Sequence, residues 1–123
     1  MKALTVRQPW AEVICTGEKT VEVRSRPTKH RGPLAIHSSA KPDAGLEQHC
    51  EGLPLGEVVC VVNVIGCRPL TLADLPAAYM EPEWFEEGRW AWLLADVRRV
   101  QPFAVKGKLG LWQVPDELVI YAD

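Results

Sequence analysis

The segment Glu57-Val58-Val59-Cys60-Val61-Val62-Asn63-Val64-Ile65-Gly66-Cys67 restricts the fold more than any other. Successive residues of a strand point to opposite faces. Here both faces are apolar, so neither can be left to water, and the segment belongs in the middle of a sheet covered on both sides. It is expected to be the longest strand. Asn63 is its one polar interruption. A buried amide needs partners, so Asn63 either ties the sheet together or faces a cleft. Further strands are expected at Ala3–Val6, from Thr20 onward, at Leu34–His37, Trp90–Val97 and Leu109–Val114, with a short closing strand at Leu118–Tyr121. Gly110, inside one of them, implies a bulge or a close backbone approach. Gln101-Pro102-Phe103 reads as a turn, and Lys106-Gly107-Lys108 as a tight basic turn. One helix is clear. Pro9 suits its first turn, Trp10, Val13 and Ile14 share a face, and Gly17 is a natural residue beyond its end. Pro42–Pro54 reads as a loop or short helix, and Leu70–Leu75 as a strand end running into a helix. The class is α+β, with about six strands and one to three short helices.

The 123 residues fit one domain spanning 1–123. No apolar run approaches the roughly 20 residues that span a bilayer, and Met1–Arg7 lacks a signal-peptide core. The expected compartment is therefore the cytoplasm, with no membrane partner. Cys15, Cys50, Cys60 and Cys67 form no C-x-x-C pair and read as reduced, mostly buried thiols. His49-Cys50 has no further ligands at a recognisable spacing, so no metal is expected. The net charge of −2 does not mark a nucleic-acid binder, but it hides a split. Lys19 to Arg31 carries five basic residues and one acid, whereas Asp74 to Glu87 carries five acids and no base. Such a split fits two segments facing each other across a site, or two separate solvated faces.

From Thr20 to Arg26, Val21 and Val23 fall on one strand face, and Thr20, Glu22, Arg24 and Arg26 on the other. That second face is either a solvated exterior or the floor of a polar cleft. Lys19 stands where helix gives way to strand. The helix end raises its pKa, while Arg24, Arg26 and burial lower it. His37-Ser38-Ser39 ends a strand, but there is no G-x-S-x-G elbow. The hydroxyls are expected to cap the next turn, with His37 as a cleft residue. Tyr79, Trp84 and Phe85 lie among acids and serve either to stack a base or to staple the loop to the core.

Gly17-x-Lys19-x-x-Glu22-x-Arg24 resembles the G-x-K-x-x-E-x-R signature of the ASCH family, a relative of the PUA-like RNA-binding folds. Arg7-Gln8-Pro9-Trp10, His30 to His37 and Gly107-x-x-Gly110-Leu111-Trp112 resemble its opening, its next strand and its closing strand. The resemblance implies a small mixed β-barrel.

It also implies candidate functions. One branch of the family removes the acyl group from N4-acetylcytidine and related cytosines, using a lysine, a hydroxyl residue three positions on and a glutamate from the later crossover. Lys19 matches the lysine. Glu22 stands where the hydroxyl is expected, and Glu83, with Glu81 as fallback, matches the glutamate. A carboxylate at position 22 cannot act as a hydroxyl nucleophile, so water must attack. Thr20, Arg24, Arg26, His37, Ser38, Tyr79 and Trp84 are the candidate substrate contacts. The implied ligand is a small nucleoside or nucleobase, with no cofactor and a monomer or weak dimer as the expected state. The alternative is a non-catalytic RNA-binding module, whose Lys19, Arg24, Arg26, Lys29, Arg31, Lys106 and Lys108 would meet phosphates. An acidic crossover beside the groove would oppose that. Ribonuclease activity ranks last, because no paired histidines are evident.

Overall fold

A computed structural model describes residues 1–122. Six strands form one mixed sheet, curled into a half-barrel: β1 (Lys2–Val6), β2 (Val21–Arg24), β3 (Gly32–Ser38), β4 (Glu57–Pro69), β5 (Trp90–Ala104) and β6 (Leu111–Gln113). Their order across the sheet is β2-β5-β4-β3-β1-β6. β1 and β3 run parallel, Ala3 opposite Ala35, and every other neighbouring pair is antiparallel.

The all-apolar segment is interior, as its pattern demands. β4 lies between β3 and β5, and Val58 to Val62 are buried. One face, with Val62 and Val64, packs beside Leu4, Leu34, Ile36 and Leu94 under helix α1 (Trp10–Cys15). The other, with Val58 and Val61, packs with Val100, Trp112 and Val114. Asn63 ties the sheet together, donating to Asp96 Oδ2 at 3.1 Å.

β5, not β4, is the longest strand, with 15 residues against 13. It runs straight through Gln101-Pro102-Phe103, where a turn was expected. The register slips between Val58 and Cys60, opposite Phe103 and Arg99. A proline lacks a ladder donor and is tolerated in a strand at such a bulge. Leu118–Tyr121 is likewise not a strand. A 3-10 turn covers Asp116–Leu118, and a single bridge pairs Val100 with Tyr121. β6 starts after Gly110, whose φ of +65° makes it the turn into the strand rather than a bulge within it.

α1 is short. The Gln8 side chain, fully buried, accepts from the Glu12 N–H at 2.9 Å and donates to the Pro54 carbonyl at 3.0 Å. Gly17, with φ of +86°, reverses the chain at the other end. The Lys19 N–H then bonds back to the Val13 carbonyl at 3.1 Å, which turns Lys19 inward.

Contrary to the expectation of four reduced thiols, Cys15 and Cys60 form a disulfide between α1 and β4, with a Cα separation of 5.8 Å. Both project into the same core. Their spacing of 45 residues carries no local signature. Cys50 and Cys67 are free. By loop entropy, a closed loop of that length is worth about 4 kcal/mol. Adding a reductant should lower the unfolding free energy measured in urea by roughly 2–4 kcal/mol; an unchanged midpoint would rule out a stabilising bond.

The acidic crossover begins with a built corner. Asp74, buried, accepts from Arg68 twice at 2.7 Å and from the Thr71 N–H and hydroxyl at 2.8 and 3.1 Å. This caps the 3-10 turn Leu72–Asp74, which leads into helix α2 (Leu75–Ala78). The Arg68 bonds, assisted by the Thr71 donors and opposed by burial, hold the Asp74 carboxyl down to about 2, against an ordinary 3.8. Its contribution is therefore whole above pH 4 and is lost as pH falls toward 2. Asp74→Asn should cost about 1–3 kcal/mol at pH 7 and flatten the acid limb of stability against pH, measured by denaturation between pH 2 and 7.

Candidate functional site

The strand after Gly17 buries its charges. Lys19 is 6% exposed and Glu22 7%. Lys19 Nζ donates to the Val21 carbonyl at 3.0 Å and the Ala78 carbonyl at 2.6 Å. Its remaining N–H faces Glu22 Oε1 at 3.6 Å. Glu22 Oε2 accepts from Arg24 Nε at 3.0 Å, and Arg24 in turn donates to the Thr5 carbonyl at 2.9 Å. The three side chains thus form a line that fastens β2 to the end of α2 and to β1. Burial pushes the Lys19 pKa below its ordinary value; Glu22 opposes the shift and Arg24 adds to it.

This line opens on a cavity of about 240 Å³. Trp10 forms one wall, its ring centroid 5.9 Å from Lys19 Nζ. Asp43 orients that indole, accepting from Nε1 at 2.9 Å. Tyr79, Met80 and Trp84 of the crossover also line it, together with Arg89. Tyr79 adopts φ of +53° at the end of α2 and donates its hydroxyl to Glu18 at 2.8 Å. Trp84 is half exposed, whereas Phe85 packs into the small core of Val21, Leu75 and Ala91. The three aromatics thus divide: Phe85 staples the loop, while Tyr79 and Trp84 face the cavity.

Of the residues singled out in the sequence, Lys19, Glu22, Tyr79 and Trp84 line this one cavity. Arg24 lies on the adjoining groove with Arg7. Glu83 and Glu81 are exposed and do not line the cavity. The 3-10 turn Pro82–Trp84 presents its tryptophan inward and its acids to water. The crossover therefore meets the Lys19 strand across the cavity with its aromatics and not with its acids. Asp74 is spent on Arg68, Glu86 pairs with Arg89 at 3.0 Å, and the acids that do reach the cavity are Glu22 and Asp43. Thr20 is exposed, and its backbone carbonyl accepts from the Leu94 N–H. Arg26 is exposed, and its carbonyl accepts from Trp92 Nε1 at 3.0 Å. Ser38 is buried, bonding to both the carbonyl and the N–H of Glu57, so its hydroxyl locks β3 to β4. His37 is buried between Thr5 Oγ1 at 3.1 Å and the Val105 carbonyl at 2.7 Å, on a second cavity.

Sequence reasoning missed Asp43 and Arg89, and read Trp10 as a helix-face residue and part of the opening motif rather than as a cavity wall. Trp10 follows Pro9 at the start of α1, where a side chain reaches past the helix end. Asp43 lies in an irregular loop, held by its N–H to the Gln8 carbonyl at 2.8 Å, and carries no local signal. Among the described residues, no three metal-ligating side chains come together.

A curled sheet with a signature strand of this kind defines the PUA-like class. The chain belongs to the ASCH domain family, whose model matches residues 4–104. The fold is similar to that of the ASCH protein of Zymomonas mobilis, with a TM-score of 0.70 at 16% identity over 94% of this chain and 88% of that one. Two variants of that protein, Tyr-to-Phe and Ser-to-Ala, match with TM-scores of 0.69 at 16% identity, covering 94% of this chain and 91% and 89% of theirs. Comparison with curated proteins gave no match.

Among the described residues Glu22 is the carboxylate paired with Lys19, so Glu22→Gln removes the main influence holding the Lys19 pKa up. NMR titration of the lysine side-chain resonances should find Lys19 below 10.5 in the wild type and lower still in the variant. An upward move would contradict the pairing.

Proposed function

We propose that the Lys19 cavity accepts a pyrimidine nucleoside or base and that the protein hydrolyses the acyl amide of N4-acylcytidines there. The observation that carries this reading is a buried Lys19–Glu22–Arg24 line opening on a cavity walled by Trp10 and Tyr79. Aromatic faces suit a flat heterocycle. Buried charges at the cavity wall suit a reaction that develops charge.

The roles follow from position. Glu22, rather than Glu83, is the cavity carboxylate beside Lys19, Asp43 being engaged by the Trp10 indole, so it serves as general base. One carboxylate oxygen takes a proton from water as the water oxygen bonds to the acyl carbon. The amide π electrons move onto the acyl oxygen. Lys19, two of whose N–H groups are held by carbonyls, swings its third from Glu22, which is now taking up the proton, toward that developing oxyanion. On collapse the carbon–N4 bond breaks, and the Glu22 carboxyl returns its proton to N4. The products are a carboxylic acid and cytidine. Lys19 works here as a cation and needs no deprotonation, so the neighbouring carboxylate supports its charge state.

A second reading, recognition of RNA without chemistry, draws support from the crossover's acids, which are paired with arginine or turned to water and do not line the groove. A strand entering from the Arg7 side would meet no wall of carboxylates.

The deciding experiment is incubation with N4-acetylcytidine, following conversion to cytidine by absorbance. Turnover should fall by about 10² or more in Lys19→Ala and Glu22→Gln, the size of a lost general acid–base or charge-stabilising group. Glu83→Ala should stay within about twofold of wild type, because its carboxylate lies outside the cavity. Circular dichroism and thermal melts would verify folding, since Lys19→Ala strips two buried carbonyls of their donor. Absence of turnover across several N4-acyl groups would sink the hydrolase reading. Loss in Glu83→Ala with activity retained in Glu22→Gln would transfer the base to Glu83.

A further inference from the structure

The charges in and beside the Lys19 cavity are largely paired: Lys19 and Arg24 with Glu22, Arg89 with Glu86, and Arg7 with Asp43 at 3.8 Å. The neighbouring cavity shares Arg7 and Arg24 and adds two lysines that have no such partner. This second cavity, about 520 Å³, is lined by Arg7, Arg24, Lys106 and Lys108 and, among the described residues, by no carboxylate. Lys106 and Lys108 are exposed and form no ion pair among the described residues. A groove that shares Trp10 and Glu22 with the first cavity and Thr5, Arg7 and Arg24 with the second joins the two.

The loop carrying both lysines is seated against the sheet. Its Val105 carbonyl bonds to His37 Nε2 at 2.7 Å. Gly107 lies so close that a Cβ would stand 2.7 Å from both His37 Cε1 and Thr5 Oγ1. Buried His37, T-shaped against Trp112 at 5.3 Å, is thus a seat for this loop. The loop backbone is thereby held against the sheet, with the two lysines projecting from it at the cavity, an arrangement suited to a small anion.

We infer that this second cavity binds a phosphate group carried by the ligand whose base enters the Lys19 cavity, so that the substrate class is nucleotides or nucleotide residues within a strand. The inference rests on the base-pocket reading of the Lys19 cavity for its occupant, but not for the anion site itself. Arg24 is the hinge between the two. It orients Glu22 on one side and lines the anion site on the other, so a bound phosphate and the Glu22 carboxylate share one guanidinium. A phosphorylated ligand would therefore be placed by a charge that also fixes the base.

The test uses the whole protein labelled with nitrogen-15, titrated separately with inorganic phosphate, cytidine, cytidine 5′-monophosphate and a cytidine trinucleotide. Amide shifts at Gly107, Lys108 and Gly110 are expected with phosphate and with the monophosphate. The monophosphate should bind about tenfold tighter than cytidine, the affinity equivalent of one charge-assisted hydrogen bond. In the double variant Lys106→Ala and Lys108→Ala, both positions exposed, that ratio should fall to about one. Unmoved loop amides, or equal affinity for cytidine and its monophosphate, would overturn the inference. If phosphate moves the loop while cytidine neither binds nor, as its N4-acetyl form, turns over, the base-pocket reading fails and the anion site stands. The trinucleotide separates the two phosphate sources. A salt dependence steeper than that of the monophosphate means that a strand tracks the groove, and an equal one means a single phosphate.

Discussion

The structure depends on how one ammonium is buried. Lys19 occupies the gap between the edge strand β2 and the end of α2, where desolvation of its charge is costly. The cost is offset by two backbone carbonyls, Val21 and Ala78, and by Glu22. Glu22 is itself buried and leans on Arg24, which reaches across to the Thr5 carbonyl of β1. Strand β2 pairs with β5 alone. Its other side is held by this polar line, together with the Thr20 N–H to Ala77 carbonyl bond. The same line that completes the fold is the wall of the cavity, so stability and chemistry share residues here.

That arrangement explains why the cleft carries buried charges and aromatic rings together. The left-handed Tyr79 ends α2 and lets the chain turn so that Ala78 offers its carbonyl inward while the Tyr79 and Trp84 rings overhang the opening. Asp43, fixed by its own backbone, turns the Trp10 indole toward the same space. The cation–π contact of Trp10 with Lys19 then lets an aromatic wall stand beside a charge without leaving it unsatisfied. Farther along the groove, the balance changes from paired charges to unpaired lysines. The surface thus grades from a site suited to a flat neutral group to one suited to an anion.

Local patterns made much of the molecule legible. The two-faced apolar run from Val58 to Val64 demanded an interior strand and received one. Gly17 was readable as a chain reversal, because only a residue free to take positive φ fits there cheaply. The signature strand placed Lys19, Glu22 and Arg24 together because period two and a short reversal bring them to one side of β2. Patterns misled where a local signal had a non-local answer. Pro102 looks like a turn but sits in a bulge, because the slip in register opposite Val59 removes the need for its missing donor. The acids from Asp74 to Glu87 look like a facing wall, yet Arg68 and Arg89 neutralise two of them and water takes the rest.

By itself, the sequence determined the class of fold, the central strand, the first helix with its end, and the polar strand at the heart of the site. Each of these is a matter of periodicity or backbone freedom, properties that act over a few residues. Only the tertiary structure decided which charges meet. The Cys15–Cys60 bond, the Trp10–Asp43 pair, the exclusion of Glu83 and the seating of Gly107 on His37 all join positions far apart in the chain. Such contacts depend on how the sheet curls and where its loops return, and no short-range pattern encodes that geometry.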